Sequence, residues 1–216
     1  CEDNQEVFDS ILFGYRLAED HRILMPIMIC QDAFVLSHTM MQTDTSDQDQ
    51  VDAFLPELDL PHRLRQDPVT IGGLDFPHET EVHRAQHQQA MGAVPAVYAE
   101  IQDEFEKVFG RRPADRVVSY RMEDAQYAVV SMGTTALTVK VAVDAMRERG
   151  IAVGAVRVRM LRPYPEREMM EALRGCKKVA ILDRDISLGH GGVLWSETRG
   201  TVPAGCVVQG TMLGLG

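Results

Sequence analysis

No C-x-x-C pair occurs in this sequence, and its four cysteines, Cys1, Cys30, Cys176 and Cys206, stand far apart. The chain therefore offers no local ligand set for zinc or an iron–sulfur cluster, and no spacing that reads as a disulfide framework. Cys30 and Cys176 sit in or beside apolar runs, where reduced cysteine packs as a small hydrophobe, so a reducing, cytoplasmic setting is expected. Positive charge is also short: the formal net charge is −10, with no basic face, which argues against binding a nucleic-acid backbone. No apolar run reaches the length of a membrane span and no signal peptide opens the chain, so no membrane partner is expected. The nucleotide fingerprints G-x-G-x-x-G and G-x-x-x-x-G-K-[ST] are missing, as is the nucleophile elbow G-x-S-x-G. An initiator Met is missing too. The chain opens Cys1-Glu-Asp-Asn4 and stops at Met212-Leu-Gly-Leu-Gly216, and both ends read as cuts.

What is present is ordinary soluble composition, 45% hydrophobic against 25% charged, enough for one large core or two modest ones. From Asn4 to Asp20, Val7, Phe8, Ile11, Leu12, Tyr15 and Leu17 recur at helical spacing, with Asn4 as the expected N-cap. Ile23 to Cys30 is an apolar run of strand length and suits a buried parallel strand, although Pro26 counts against a central one. From Thr43 to Thr80 periodicity dissolves among acidic residues, Pro56, Pro61, Pro68, Pro77 and Gly72-Gly73, which reads as a long connection. A helix is expected over Glu81 to Phe109, ended by Gly110 and Pro113, with Pro95 predicting a kink or break.

Beyond about residue 115 the pattern alternates. Strands are expected at Tyr127–Met132, Ile151–Met160, Lys178–Leu182 and Cys206–Gln209. Helices are expected at Thr135–Arg149, with Leu137, Val141, Ala142, Ala145 and Met146 inward, at Pro165–Arg174 and near Val193–Thr198. That spacing argues a parallel, doubly wound α/β domain.

Four segments could carry chemistry. At Gly133, Thr134 and Thr135 a strand meets a helix. Free N–H groups and the helix dipole could hold an anion there, and a tight βα turn capped by Thr134 or Thr135 is the plainer reading. The run Asp183, Arg184, Asp185 … Gly189, His190, Gly191, Gly192 follows a strand, at the sheet edge where ligands and partners bind; it is either a binding or interface loop with local ion pairs or a structural turn. Asp32, Ser37 and His38 follow the apolar run at 23–30. One loop rarely supplies a hydrolase trio, so the rim of a cofactor cleft is the preferred reading. His83 and His87, with His78 before them, lack the Glu of H-E-x-x-H and read as a solvated helix face, leaving no metal site expected.

Taken in order, these stretches resemble one family. Residues 4–20 resemble the helix before the last strand of the thiamine-pyrimidine domain in pyruvate:ferredoxin oxidoreductase alpha subunits. Residues 24–39 are similar to that family's strand and D-G-F-x-L-S-H-T loop, with Ala33 in place of the Gly. Tyr120–Ala125, Met132–Ala136, Val156–Pro165 and Val179–Gly192 are similar to its second, transketolase-C-terminal-like domain. The resemblance implies an α/β fold in three parts: 1–42 as a remnant of the thiamine-binding domain, 43–114 as a linker with a long helix, and 115–216 as a parallel-sheet domain. It implies 2-oxoacid plus CoA giving acyl-CoA, carbon dioxide and electrons for ferredoxin, with pyruvate the default because of the loop Phe34–Thr39. Thiamine diphosphate, Mg2+ and iron–sulfur clusters would belong to the full complex. The activating Glu would lie upstream of Cys1 and the G-D-G…N motif in another domain or subunit. The other subunits would then be the partners, and this fragment would be inactive alone, serving cleft framing and subunit packing. The competing reading is a stand-alone anion-binding or regulatory α/β module without catalytic activity.

Overall fold

The computed structural model describes residues 1–61, 63–64 and 71–214. Pro68, one of the expected chain breakers, and Leu215-Gly216 at the end lie outside the described residues. The chain divides into two compact units that interleave in sequence. One comprises residues 1–7, 30–42 and 114 onward; the other comprises residues 8–29 and 43–113. None of the described helices is long and apolar enough to cross a membrane.

The first unit is built on a five-stranded sheet in the order β1-β3-β2-β4-β5. Strands β2 (Tyr127–Ser131), β3 (Val153–Val158), β4 (Lys178–Asp183) and β5 (Val207–Met212) are parallel, and β1 (Val117–Tyr120) lies antiparallel on the β3 edge. The crossovers are α4 (Thr135–Glu148), α5 (Glu166–Ala172) and α6 (Val193–Thr198). Parallel strands covered on both faces need unbroken apolar runs, and all six residues of β3 are buried. Val130, Val156, Ile181 and Met169 fill one face under α5 and α6. Val139 and Val143 of α4 close the other face against Val153 and Ala155. Each such side chain contributes roughly 1.5–3 kcal/mol by leaving water.

Of the face expected to point inward on α4, Met146 packs on the core and the rest differs. Ala136, Val139 and Val143 are buried, while Leu137 is 40% and Val141 70% exposed. Apolar residues lie on both sides of this helix, so the pattern alone does not orient it. Strand β1 carries too few residues to stand out in the sequence, and it exists because Val117–Tyr120 find the free edge of β3.

The buried Arg157 of β3 requires counter-charge in so dry a position. Its Nη1 donates to Glu6 Oε2 at 2.7 Å, its Nε lies 3.0 Å from Glu2 Oε2, and Arg159 Nε donates to Glu6 Oε1 at 2.6 Å. Lys140 of α4 completes the cluster on Glu2. The first turn of α1 (Asn4–Ala18) is thereby fastened to the sheet. Its N-cap is Asp3 rather than the expected Asn4: Asp3 Oδ1 accepts the Glu6 amide at 2.7 Å, while Asn4 Nδ2 turns away to the Thr39 carbonyl.

Among its described residues, the regular elements of the second unit are all helices. It contains the rest of α1, α2 (Gln48–Phe54) and α3 (Pro77–Phe109). Helix α2 sits inside the stretch that reads as a connection, started by a capping box between Asp47 and Gln50. Phe13, Phe54, Tyr98, Phe105 and Phe109 form its core, with Phe105 and Phe109 centroids 4.4 Å apart. Arg111 covers both of these rings and is held by the Asp9 carboxylate at 2.7 Å. Helix α3 runs on through Pro95, so of the expected kink or break the break does not occur. Pro95 lies on the exposed face, where water can satisfy the carbonyl that loses its partner. Ile23–Cys30 is not a strand. A strand is stable only beside another, none of the described strands pairs with it, and Met28 is 86% exposed.

Candidate functional site

Strands β2 and β4 are neighbours whose connections leave in opposite directions, since α4 carries β2 to β3 and α6 carries β4 to β5. The carboxyl ends of such a pair leave a crevice, the usual ligand position in open α/β sheets. A cavity of about 250 Å3 lies there. Residues from three sequence-expected segments line it together: Asp32, then Gly133 and Thr135, then Asp183, Arg184 and Asp185. Cys1, Cys30, Gln31, Met132, Leu161 and Leu182 complete the wall with the start of α6.

The turn at Gly133–Thr134 is built to hold an anion, and the anion it holds is the chain's own. Asp32 Oδ2 accepts the Thr134 amide at 3.0 Å and also accepts the Thr134 hydroxyl. Arg184 Nη1 lies 3.1 Å from the same oxygen. Gly133 has φ +57°, and a Cβ there would stand 3.1 Å from the carboxylate, so both backbone angle and space demand glycine. Burial works to raise the Asp32 carboxyl, but the two Thr134 hydrogen bonds and the Arg184 charge outweigh it and hold it below the usual carboxylate range.

The acidic pair at the end of β4, Asp183 and Asp185, has a different use from the expected local ion pairs. Asp183, 4% exposed, accepts the Leu194 amide at 2.7 Å and the Trp195 amide at 3.1 Å, and Asp185 accepts the Val193 amide at 3.1 Å. Together they satisfy the first turn of α6, leaving Arg184 for Asp32. Burial, with Asp185 alongside, pushes the Asp183 carboxyl above its ordinary value despite those amides. Gly192 is required here, because a Cβ would sit 2.0 Å from the Asp183 carboxylate.

Ser37, His38, Gly189, His190 and Gly191 stay outside the cavity wall. Ser37 Oγ accepts the Phe34 amide at 3.0 Å and lies 2.7 Å from His38 Nδ1, whose ring stacks on Phe34. Asp32 points to Thr134 instead, so no trio forms. Gly189 and Gly191 take positive φ in the turn closed by the Ser187–Gly191 bridge, and exposed His190 lies 5.9 Å from the Trp195 ring. On α3, His83 pairs with Asp75 at 2.8 Å. Among the described residues, no group of three or more His, Cys, Asp or Glu side chains is placed to hold a metal ion. The cluster of Arg157 with Glu2 and Glu6 escapes sequence reasoning, because its members lie more than 150 positions apart with no local motif.

Two family models match the chain almost from end to end. Residues 1–103 fit "Pyruvate flavodoxin/ferredoxin oxidoreductase, thiamine diP-bdg" and residues 125–216 fit "Pyruvate:ferredoxin oxidoreductase core domain II". The chain belongs to the 2-oxoacid:ferredoxin oxidoreductase family. Among curated members of this family, the pyruvate synthase subunit PorA of Methanothermobacter thermautotrophicus is 37% identical over 216 residues, covering 100% of this chain and 56% of the relative. The PorA of Pyrococcus abyssi is 39% identical over 199 residues, 91% of this chain and 50% of the relative. The ketoisovalerate oxidoreductase subunit VorA of Pyrococcus horikoshii is 36% identical over 204 residues, 94% and 51%. The chain thus spans about half the length of the curated relatives it matches. A solved 2-oxoglutarate:ferredoxin oxidoreductase from Magnetococcus marinus aligns over 64% of this chain and 21% of that one at 15% identity, with a TM-score of 0.44, too slight a likeness to argue from.

Proposed function

We propose that this chain is part of the alpha subunit of a thiamine-diphosphate-dependent pyruvate:ferredoxin oxidoreductase. In that enzyme pyruvate and CoA give acetyl-CoA, carbon dioxide and two electrons for ferredoxin, or the reverse. The observation that carries the reading is identity to a pyruvate synthase subunit along the whole chain. Thiamine diphosphate supplies the carbanion chemistry when bound; Mg2+ and the iron–sulfur clusters belong to the full complex.

Among the described residues, the one anion turn expected from the sequence does not fit the diphosphate group. The anion cradle at Gly133–Thr134 is filled by Asp32, and no described side-chain cluster is placed for a metal ion. The same occupancy weighs against a stand-alone anion-binding module. The chain's share is therefore framing and packing. Asp32 seats residues 30–42 on the sheet edge, and exposed Phe34, Met40 and Leu188 give that unit an apolar rim suited to another subunit. Ser37 and His38, on the outer side of this segment, are the side chains best placed to face a cleft built with the rest of the enzyme.

CoA-dependent reduction of ferredoxin by the reconstituted full-length complex, compared across pyruvate, a branched-chain 2-oxoacid and 2-oxoglutarate, tests the substrate. The highest kcat/KM is expected for pyruvate. A branched-chain acid ahead of pyruvate would overturn that assignment.

A further inference from the structure

Ser37 and His38 stand outside the cavity wall and form a pair of their own. Ser37 Oγ and His38 Nδ1 are 2.7 Å apart, and both residues are exposed. The Phe34 amide donates to Ser37 Oγ at 3.0 Å, which uses one lone pair of that oxygen. With the imidazole neutral and its proton on Nε2, the Ser37 hydroxyl donates to Nδ1, and the second lone pair of Oγ is left for bond formation. Stacking on Phe34 orients the His38 ring, with centroids 4.6 Å apart and planes at 23°. Phe34 itself takes φ +60°, a left-handed angle that is an outlier for a bulky side chain. The loop holds it there: the Phe34 carbonyl accepts the His38 amide at 3.1 Å and the Thr39 hydroxyl at 3.4 Å, and Leu36 is buried. One strained residue thus aims its amide at the hydroxyl and its ring at the imidazole. A hydroxyl beside a base, with the base oriented by a third group, is the arrangement of an activated nucleophile.

We propose that Ser37 is a covalent modification site that takes an acyl group from a thioester, with His38 as its base. Ser37 Oγ attacks the thioester carbonyl carbon, and the hydroxyl proton passes to His38 Nδ1. The C–S bond breaks, the departing thiolate takes that proton from His38, and the products are O-acyl Ser37 and a free thiol. Nothing is oxidised or reduced. The chemistry of the loop favours an acyl donor over a phosphoryl one. Residues 33–41 contain no Lys or Arg to meet phosphate charge, and Phe34, Val35, Met40 and Met41 offer exposed apolar surface to an acyl chain. Acylation of Ser37 does not depend on the reaction assigned above, because it needs only this pair and an added thioester.

The test is a peptide map of the reconstituted full-length complex after incubation with phenyl thioacetate at neutral pH. The peptide carrying Ser37 is expected one acetyl group heavier, with the added group on Ser37 and removed by hydroxylamine. Ser119, exposed on β1 with no histidine beside it in the sequence, is the internal control and is expected to stay unmodified over the same time. His38→Gln is expected to slow acetylation of Ser37 on the order of tenfold or more, and Ser37→Ala to abolish it. Ser37 left unmodified, Ser37 reacting no faster than Ser119, or an unchanged rate in His38→Gln would overturn the proposal. If His38→Gln does not fold, the comparison of Ser37 with Ser119 in the wild type decides alone.

Discussion

Substituting Asn for Asp32 removes the charge from three contacts at once: the Thr134 amide, the Thr134 hydroxyl and the Arg184 guanidinium. Losing charge-assisted hydrogen bonds of this kind is expected to cost about 1–3 kcal/mol, read as a lower urea midpoint of the full-length subunit. A Thr134→Val change that costs as much, with little further loss in the double variant, would confirm that the two residues act as one contact. Acid titration separates two other carboxyls. Glu6 is half-buried, which alone would raise it, but the hydrogen bond and charge of Arg157, with Arg159, lower it from 4.5 to about 2. A depressed carboxyl stabilises fully above its ordinary value and loses that contribution as the pH falls from 4.5 towards 2. Glu6→Gln is expected to flatten this acid limb. Asp183 has the opposite sign, since burial raises it, so its contribution falls as the pH rises through its raised value. Equal acid limbs in Glu6→Gln and wild type would contradict the assignment of the Arg157 cluster.

Among elements, α6 depends on the approach of Gly192 to Asp183, whereas Gly200 just beyond it has nothing within 4 Å of an added Cβ. Gly192→Ala is expected to cost about 2 kcal/mol or more through this clash, and Gly200→Ala close to nothing, measured by thermal melting. Pro95→Ala is expected to stabilise the second unit by about 1–3 kcal/mol, because α3 is already helical there and regains a hydrogen bond. These elements also show where local pattern is informative. The run from Tyr127 to Thr198 is readable because each strand is a continuous apolar stretch and each helix is set off by Gly or Pro. Helix α2 hides among acidic residues because its burial rests mainly on Phe54. The run 23–30 has a strand's composition without a strand's neighbour, and hydrogen bonding between strands is decided elsewhere in the chain.

For the whole molecule, the α/β class and the mostly parallel sheet are legible from alternation, and the family from motifs in order. The site is legible only in pieces. Asp32, the Gly133–Thr135 turn and the Asp183–Asp185 run each stand out as loops after apolar runs. That the first plugs the second and pairs with the third is a contact across 102 positions for Thr134, which no periodicity encodes. The contact changes the chemistry, turning an expected ligand loop into an internal clasp. The most direct measurement of that account is pyruvate- and CoA-dependent ferredoxin reduction by the reconstituted full-length complex, with and without added thiamine diphosphate, in wild type and in Asp32→Asn. Thiamine-dependent turnover is expected in the wild type, and in the variant a lower stability with no change in the thiamine concentration giving half-maximal rate. Turnover without thiamine, or none under any condition in an intact complex, would contradict it.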